Sequence, residues 1–249
     1  MPEAYCDSGP PYGPRPYPAA EQYGDGVTRH SPEPPDLERL LAVFAAAIRE
    51  VCGDGEQSAH PPPVLARRLL ERYDESHRRY HTAEHLSEML DQLGSHQPDA
   101  GLPPVLVLAT GYHDAIYDAR ASTNESASAA LAVEELTDAG VAPSIVERVA
   151  QLVRATADHR CEEHDIDAER FLDADLAVLG STSARYARYV ADVRAEYGHV
   201  PDDQWRAGRA AVLDYFLERP VLYLRPANRR RLETPARENL RAERRSLDD

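Results

Sequence analysis

The sequence predicts an all-α fold, and three features of the chain support this prediction. Apolar residues recur at steps of three and four through most of the chain, as they do on one face of a helix. Proline or a capping residue precedes most of these segments, and glycine follows several of them. No segment keeps the alternation of apolar and polar residues that is typical of a half-buried strand. With 249 residues, 42% of them hydrophobic, the chain can bury one large core or two small ones.

The composition restricts the function and the compartment. The chain has 43 acidic and 28 basic residues, a formal charge of −15, and all of its fixed cations are arginines. This charge repels a phosphate backbone, and the only basic run is at 229–231, so we expect no nucleic-acid binding. Three separate cysteines without a CxxC pair favour a reducing compartment. We see no signal peptide and no apolar run that could span a membrane, and therefore expect a cytoplasmic protein without a membrane partner.

The N-terminal part of the chain divides into a tail and three helices. Residues 1–34 are rich in Pro, Tyr and Gly, and we predict a disordered tail because so few aliphatic residues cannot offset the chain entropy. From Asp36 onward the helical pattern begins, and the prolines at 61–63 lead into a second helix. Thr82 is predicted to cap a third helix, which places His85 in its first turn.

The remaining chain predicts further helices. Pro103 and Pro104 open a helix that carries His113 and Asp114, and its apolar run at 105–109 is typical of a buried helix. Two capping boxes, Ser122-x-x-Glu125 and Ser144-x-x-Glu147, predict helices over 123–139, closed by Gly140, and over 143–156. Helices over 171–179, 183–197 and 202–218 follow, and Pro235 is predicted to start the last one. We expect one domain over residues 35–249.

Polar residues interrupt these apolar helices at three places: His85, the doublet His113-Asp114, and Asp173-Ala174-Asp175. A buried polar group without a partner costs about 1–3 kcal/mol, so these residues need a common partner. A divalent metal ion satisfies this need, because two imidazoles and two carboxylates leave coordination positions open for water and substrate. His81 is an alternative to His85. Asp173 is an alternative to Asp175, since the two lie about 200° apart on a helix and cannot both face one ion.

The order of these residues resembles the HD-domain superfamily of metal-dependent phosphohydrolases. The similarity is closest to a subgroup of predicted phosphohydrolases with a helical C-terminal extension, and it covers about residues 36–247. The matching motifs are Arg79-Tyr80-His81-x-x-x-His85, Tyr112-His113-Asp114-x-x-Tyr117-Asp118, Asn124-Glu125-Ser126, Leu172-Asp173-Ala174-Asp175-Leu176, Glu196-Tyr197-x-His199-Val200-Pro201 and Gly208-Arg209-x-x-Val212-Leu213. The resemblance implies an HD-domain-like helical bundle. It also implies metal ligands at His85, His113, Asp114 and Asp175.

The resemblance further implies that a metal-activated water hydrolyses a phosphate ester of a nucleotide or a small phosphorylated metabolite. The ion would be Mn, Fe, Ni, Co, Zn or Mg. We expect Glu125 to position the water, His159 to bind phosphate or protonate the leaving oxygen, and Arg79 or Arg78 to hold phosphate oxygens. Each of these residues also has a purely structural alternative: a helix cap, a surface histidine and a solvated arginine.

Two other functions are compatible with the sequence. HD-like scaffolds can hold two metal ions when additional histidines lie between the doublet and the last aspartate. His159 and His164 occupy that interval, so a di-iron oxygenase is one alternative. A non-catalytic nucleotide-sensing protein that keeps the fold is the other.

Overall fold

The computed structural model of the protein describes residues 36–52, 61–95 and 101–248. Every regular element in these ranges is helical, which confirms the predicted all-α class. The predicted tail at 1–34 and most of the loop after the first helix lie outside the described residues. No helix within the described ranges is both long enough and apolar enough to cross a membrane. The α-helices are α1 Leu37–Cys52, α2 Pro62–Arg72, α3 Ala83–Gly94, α4 Pro104–Tyr112, α5 Asn124–Asp138, α6 Pro143–Ala155, α7 Ile166–Asp175, α8 Ser183–Glu196, α9 Asp202–Glu218 and α10 Pro226–Ser246, with a 3₁₀ helix at Leu176–Gly180.

Helix α4 lies at the centre of the larger core, as its apolar run predicts. All its residues from Leu106 to Tyr112 are buried, and it packs against α1, α3 and α6. A Cβ atom at Gly111 would lie 2.7 Å from Leu69 and 2.8 Å from Phe44, so only glycine permits this close approach of α1 and α2. This packing fixes the end of α4, directly before the His-Asp doublet.

The helices after α7 form a smaller second core. Its members are Leu176, Leu179, Tyr186, Leu213, Phe216, Leu222, Tyr223, Leu232, Ala236 and Leu240, all of which are buried. They come from the 3₁₀ helix, the connection between α9 and α10, and α8, α9 and α10 themselves. The second core packs beside the first, and a cavity lies where the two meet.

Both predicted capping boxes are wrong. Helix α5 has Thr123 and helix α6 has Ala142 at the N-cap position, and neither makes a capping side-chain bond. The side chain of Asn124 instead fixes the start of α5 by accepting from the backbone N–H of Asp118 and donating to its carbonyl. Proline begins α6, where its missing N–H costs nothing. The predicted close of α5 at Gly140 is confirmed, because this residue has φ +78°.

Two other helices differ from the prediction. The segment at 171–179 is not one helix, because α7 ends at Asp175 and the 3₁₀ helix follows. Helix α10 begins at Pro226, and Pro235, its predicted start, lies inside it. An internal proline costs about 3 kcal/mol. The buried face of α10 continues on both sides of Pro235 against the 3₁₀ helix, and this packing offsets the cost; its members are Leu232, Ala236 and Leu240.

Candidate metal centre

The structure brings the side chains of His85, His113, Asp114 and Asp175 together. The Nε2 atom of His113 lies 3.1 Å from Nε2 of His85 and 3.0 Å from Oδ2 of Asp114. Oδ1 of Asp175 lies 3.8 Å from Nε2 of His113 and 3.2 Å from Nε2 of His85. Donor atoms of the two histidines and Asp114 all lie within 4.8 Å of one another. We call these four side chains the donor cluster.

Three helix ends position the donor cluster. His85 is the third residue of α3, whose N-cap is Thr82 as predicted, although the Thr82 side chain makes no capping bond. The doublet follows the last residue of α4 and is not carried by the helix itself. Asp175 is the last residue of α7. The four donors therefore converge because α3, α4 and α7 pack against one another.

Hydrogen bonds at Nδ1 orient both imidazole rings. Nδ1 of His113 donates to the carbonyl of Thr110 at 2.9 Å. Since a carbonyl can only accept, Nδ1 carries a proton, and once the ring loses its second proton, Nε2 presents a lone pair to the cluster. Nδ1 of His85 lies 3.1 Å from the hydroxyl of Tyr80. Outer contacts of this kind hold metal-binding histidines in orientation.

The charges in the donor cluster favour a bound cation. Within the part of the chain that the structure describes, every ion-pair partner of Asp114 and Asp175 is a histidine. Burial opposes ionisation of Asp114, but the charges of His113 and His81 outweigh it and hold the pKa of this carboxyl well below its usual value. Burial would lower the pKa of His113, yet Asp114 raises it to about 9.

The donor set could hold a metal ion. Two partly buried carboxylates and two buried imidazoles face one another at 3.0–3.8 Å, so a proton or a cation has to lie among them. Mixed nitrogen and oxygen ligands suit Mn, Fe, Co, Ni or Zn better than Mg, which prefers oxygen ligands. His85, His113, Asp114 and Asp175 are the residues that would hold the ion.

Metal binding is expected to release one proton from His113. At pH 7 this ring is protonated in the metal-free protein, since its pKa is about 9, whereas both carboxyls are already ionised. A metal ion must displace that proton, so the affinity should rise roughly tenfold per pH unit from pH 7 towards 9 and then level off. Calorimetric titration in buffers of different ionisation enthalpy measures the released proton. Equal affinities at pH 6 and pH 8 would contradict this expectation.

The alternative ligand His81 lies at the edge of the cluster, in the turn before α3. Its Nδ1 lies 2.7 Å from Oε2 of Glu196, and its Nε2 lies 3.8 Å from Oδ2 of Asp114. Burial would lower the pKa of His81, but the charge of Glu196 raises it. His81 therefore borders the donor cluster, whereas His85 is part of it.

The alternative ligand Asp173 points away from the cluster. Its carboxylate accepts the backbone N–H groups of Leu224 at 2.6 Å and Arg225 at 2.9 Å. It also accepts a hydrogen bond from the side chain of Asn228 at 2.9 Å. Asp173 thus anchors the start of α10 to α7, and Asp175, on the opposite side of the same helix, faces His85.

His159 and Glu125, two of the predicted catalytic residues, line a cavity of about 260 Å³ that opens beside the cluster. Nε2 of His159 lies 2.9 Å from Oδ2 of Asp175. Its backbone is left-handed, with φ +52°, a conformation that costs about 1–2 kcal/mol outside glycine. Arg219, the residue directly after α9, donates to the carbonyl of His159 at 2.8 Å and so holds this strained turn in place.

The carboxyl of Glu125 has a raised pKa. Burial is the largest cause, and the negative charge of Asp114 adds to it.

The predicted arginines do not reach the cavity. Arg79 is exposed, and its guanidinium donates to the carbonyls of Ser76 and Arg78 at 2.7 Å each. Arg78 is buried and donates to the carbonyls of Asp114 and Ala115. Arg78 therefore holds the backbone next to the donor cluster in position, and it has no free face for a phosphate.

Glu196 is a part of the site for which sequence reasoning predicted no role. Its carboxylate accepts the backbone N–H groups of Arg79, Tyr80 and His81 at 2.7, 2.9 and 3.0 Å. It also accepts the hydroxyl of Tyr117 at 2.9 Å. Burial opposes its ionisation, but His81 lowers its pKa to about 2. The only sequence signal was its place in the motif that begins Glu196-Tyr197.

Replacing Glu196 with alanine is expected to lower the free energy of unfolding by more than about 3 kcal/mol. The substitution leaves three backbone N–H groups without their acceptor, each worth about 1–3 kcal/mol when buried. Urea unfolding measures the loss. The matched control is Glu84→Ala, which removes a half-exposed ion pair with Arg188 and should cost less than about 1 kcal/mol. Equal losses in both variants would show that Glu196 does not clamp the turn.

Comparisons with known proteins do not add to this description. The chain has no match among protein-family models, curated proteins or solved structures. A function is therefore inferred from the all-α fold, the donor cluster and the cavity beside it. The HD-domain-like bundle stays a prediction from the motifs of the sequence.

Proposed function

We propose that the protein is an HD-type, metal-dependent phosphohydrolase that acts on small phosphate esters. The observation that carries the proposal is the convergence of two imidazole nitrogens and two carboxylate oxygens at one end of a cavity. A divalent ion in such a cluster lowers the pKa of a bound water and neutralises charge on phosphoryl oxygens. His113, Asp114 and Asp175 line the cavity, so the ion would face a bound substrate.

Two other side chains supply proton transfer in this proposal. The His159 ring lies beside Asp175 and borders the cavity, which suits it to protonate the leaving oxygen. Glu125 faces the same cavity from α5, and its raised pKa brings the carboxyl closer to the range in which it can accept a proton from water. Arg78 and Arg79 donate to backbone carbonyls and do not line the cavity, so the ion and the histidines would bind the phosphoryl group.

The di-iron alternative finds less support in the structure. His164, one of its two additional histidines, is 87% exposed and does not line the cavity. His159 alone remains near Asp175, and one further histidine supplies few ligands for a second ion. We therefore propose a hydrolytic site.

A phosphatase screen of metal-stripped and reconstituted protein tests the proposal. Nucleoside monophosphates, sugar phosphates and aryl phosphates are offered with Mn²⁺, Co²⁺, Ni²⁺, Zn²⁺ and Mg²⁺ in turn. We expect release of inorganic phosphate only with a bound divalent ion, and near one ion per chain. A reconstituted protein that holds its ion and releases phosphate from no substrate would overturn the proposal in favour of a sensing role. Two irons per chain with a visible charge-transfer band would favour the oxygenase.

A further inference from the structure

The lining of the cavity changes from charged side chains at the donor cluster to aromatic side chains farther away. The ring centroid of Phe216 lies 6.0 Å from that of His159, so this part of α9 borders the metal end. Trp205 lies about three turns earlier in α9, or roughly 16 Å along the helix axis. Several aromatic rings line the space between and around them; these are Tyr80, Tyr117, Tyr189, Tyr197, Trp205 and Phe216. We call the part lined by α8, Tyr197 and the segment of α9 from Trp205 to Val212 the aromatic subsite.

The aromatic subsite offers no unpaired positive charge. Among the described residues that line the cavity, Arg209 is the only arginine. Its guanidinium donates to Glu243 at 2.7 and 3.0 Å and to the hydroxyl of Tyr189 at 3.2 Å, so its charge is already paired. The carboxylates of the lining belong to Asp114, Glu125 and Asp175 and lie at the metal end. A second phosphate group placed in the aromatic subsite would lose its hydration without gaining a cation.

The size of the cavity limits the ligand. A volume of about 260 Å³ lies slightly below the range of roughly 300–1,000 Å³ that is usual for sites of drug-sized ligands. The space therefore suits one ring system joined by a short linker to one phosphoryl group. Flat aromatic groups pack well against tyrosine and tryptophan rings, because both partners have extended π faces.

We propose that the aromatic subsite binds a flat, uncharged aromatic group of the substrate, and that the substrate carries a single phosphate. A nucleobase is the obvious natural example of such a group. The single phosphate rests on the proposed phosphohydrolase function. The binding of the aromatic group does not, because it needs neither a metal ion nor turnover. The two parts of the proposal can therefore be tested separately.

The intrinsic fluorescence of the protein tests the aromatic subsite directly, because Trp205 is the only tryptophan in the chain. Metal-free protein is titrated with adenosine and, in parallel, with ribose 5-phosphate, with excitation at the red edge of tryptophan absorption. We expect a saturable change with adenosine and none with ribose 5-phosphate. Absence of a saturable change with adenosine, or an equal change with both compounds, overturns the subsite.

Two neighbouring substitutions in α9 locate the binding. Val212 lines the cavity, whereas Ala211 is exposed and does not. Val212→Phe should fill the subsite and weaken adenosine binding at least tenfold, and Ala211→Phe should leave it unchanged. Both variants should still bind Co²⁺ like the unaltered protein. If Val212→Phe does not fold, Tyr197→Leu, which removes one of the rings, should weaken adenosine binding at least threefold; unchanged binding in the folded variant overturns the proposal.

The metal-loaded protein tests the number of phosphates. We expect it to release phosphate from AMP at least tenfold faster than from ADP, because the cavity has room for one ring system, a short linker and one phosphoryl group. Equal rates overturn the single-phosphate part. Adenosine binding without any phosphatase activity would contradict the proposed function and leave the subsite intact. Phosphatase activity without adenosine binding would contradict the subsite alone.

Discussion

Asp175→Asn is expected to weaken divalent-metal binding by two to three orders of magnitude, whereas Asp173→Asn should change it by less than about tenfold. Structural metal sites of four ligands contribute roughly 10–16 kcal/mol, so one ligand accounts for about 2.5–4 kcal/mol, a factor of roughly 70 to 900. Asp175 lies 3.2 Å from His85 in the donor cluster, whereas Asp173 bonds to the start of α10. The two substitutions remove the same charge from the same helix, and each serves as the control for the other.

The effects of these substitutions on stability should have the opposite order. Asp173→Asn replaces an acceptor oxygen by an amide N–H₂ group that faces the N–H groups of Leu224 or Arg225. We expect the metal-free variant to lose about 2–3 kcal/mol of unfolding free energy. Asp175→Asn should cost less in the metal-free protein, because its neighbours are histidines that lose only a charged partner. Metal titration measures the affinities of both variants and urea unfolding measures their stabilities, and the two orders should be opposite. If Asp173→Asn abolishes metal binding instead, Asp173 is the ligand.

His113→Ala should abolish metal binding and reduce any phosphatase activity by more than about a thousandfold. Its Nε2 atom is the one donor within 3.8 Å of the other three, so its loss separates the remaining ligands. Without this ring the carboxylates of Asp114 and Asp175 also lose a shared positive partner. Removal of an activating metal ion removes both the nucleophile and the charge stabilisation at once.

The matched control for His113→Ala is His164→Ala. His164 is also a histidine and lies in the turn before α7, but it is exposed and does not line the cavity. We expect wild-type activity and metal content in this variant. Metal content by elemental analysis, together with phosphate release, measures both. Full activity in metal-free His113→Ala protein would contradict the proposed metal-dependent mechanism. Loss of activity in His164→Ala would support the two-metal alternative.

Several parts of the fold and site were predictable because their causes are local in sequence. The apolar run before His113 predicted a buried helix, and Leu106 to Tyr112 are all buried. The spacing of Asp173 and Asp175 predicted that one of the two would face elsewhere, since two residues correspond to about 200° on a helix. The predicted bounds of α8 and α9 agree with the observed ones within one residue, because proline, capping residues and periodicity mark these helices in the sequence.

The parts that could not be predicted depend on contacts between distant residues. Glu196 binds a turn more than a hundred residues earlier, and neither sequence pattern contains a sign of the other. Arg78 was a candidate to hold phosphate oxygens or to be a solvated arginine, yet it is buried and donates to carbonyls 36 and 37 residues later. The start of α10 was missed because the packing of its buried face outweighs the local preference against Pro235. Propensity predicts helices, but tertiary packing decides which polar groups become structural.

The clamp made by Glu196 also sets a lower limit on the length of a working chain. A fragment that ended at Gly180 would contain all four donor residues and the whole of the larger core. It would nevertheless lack the carboxylate of α8 that holds residues 79–81, and the face of α9 that lines the cavity. A shorter segment moved into another protein would therefore carry the four donors without their clamp and without one wall of the cavity, so the donor cluster is expected to work only together with the C-terminal helices.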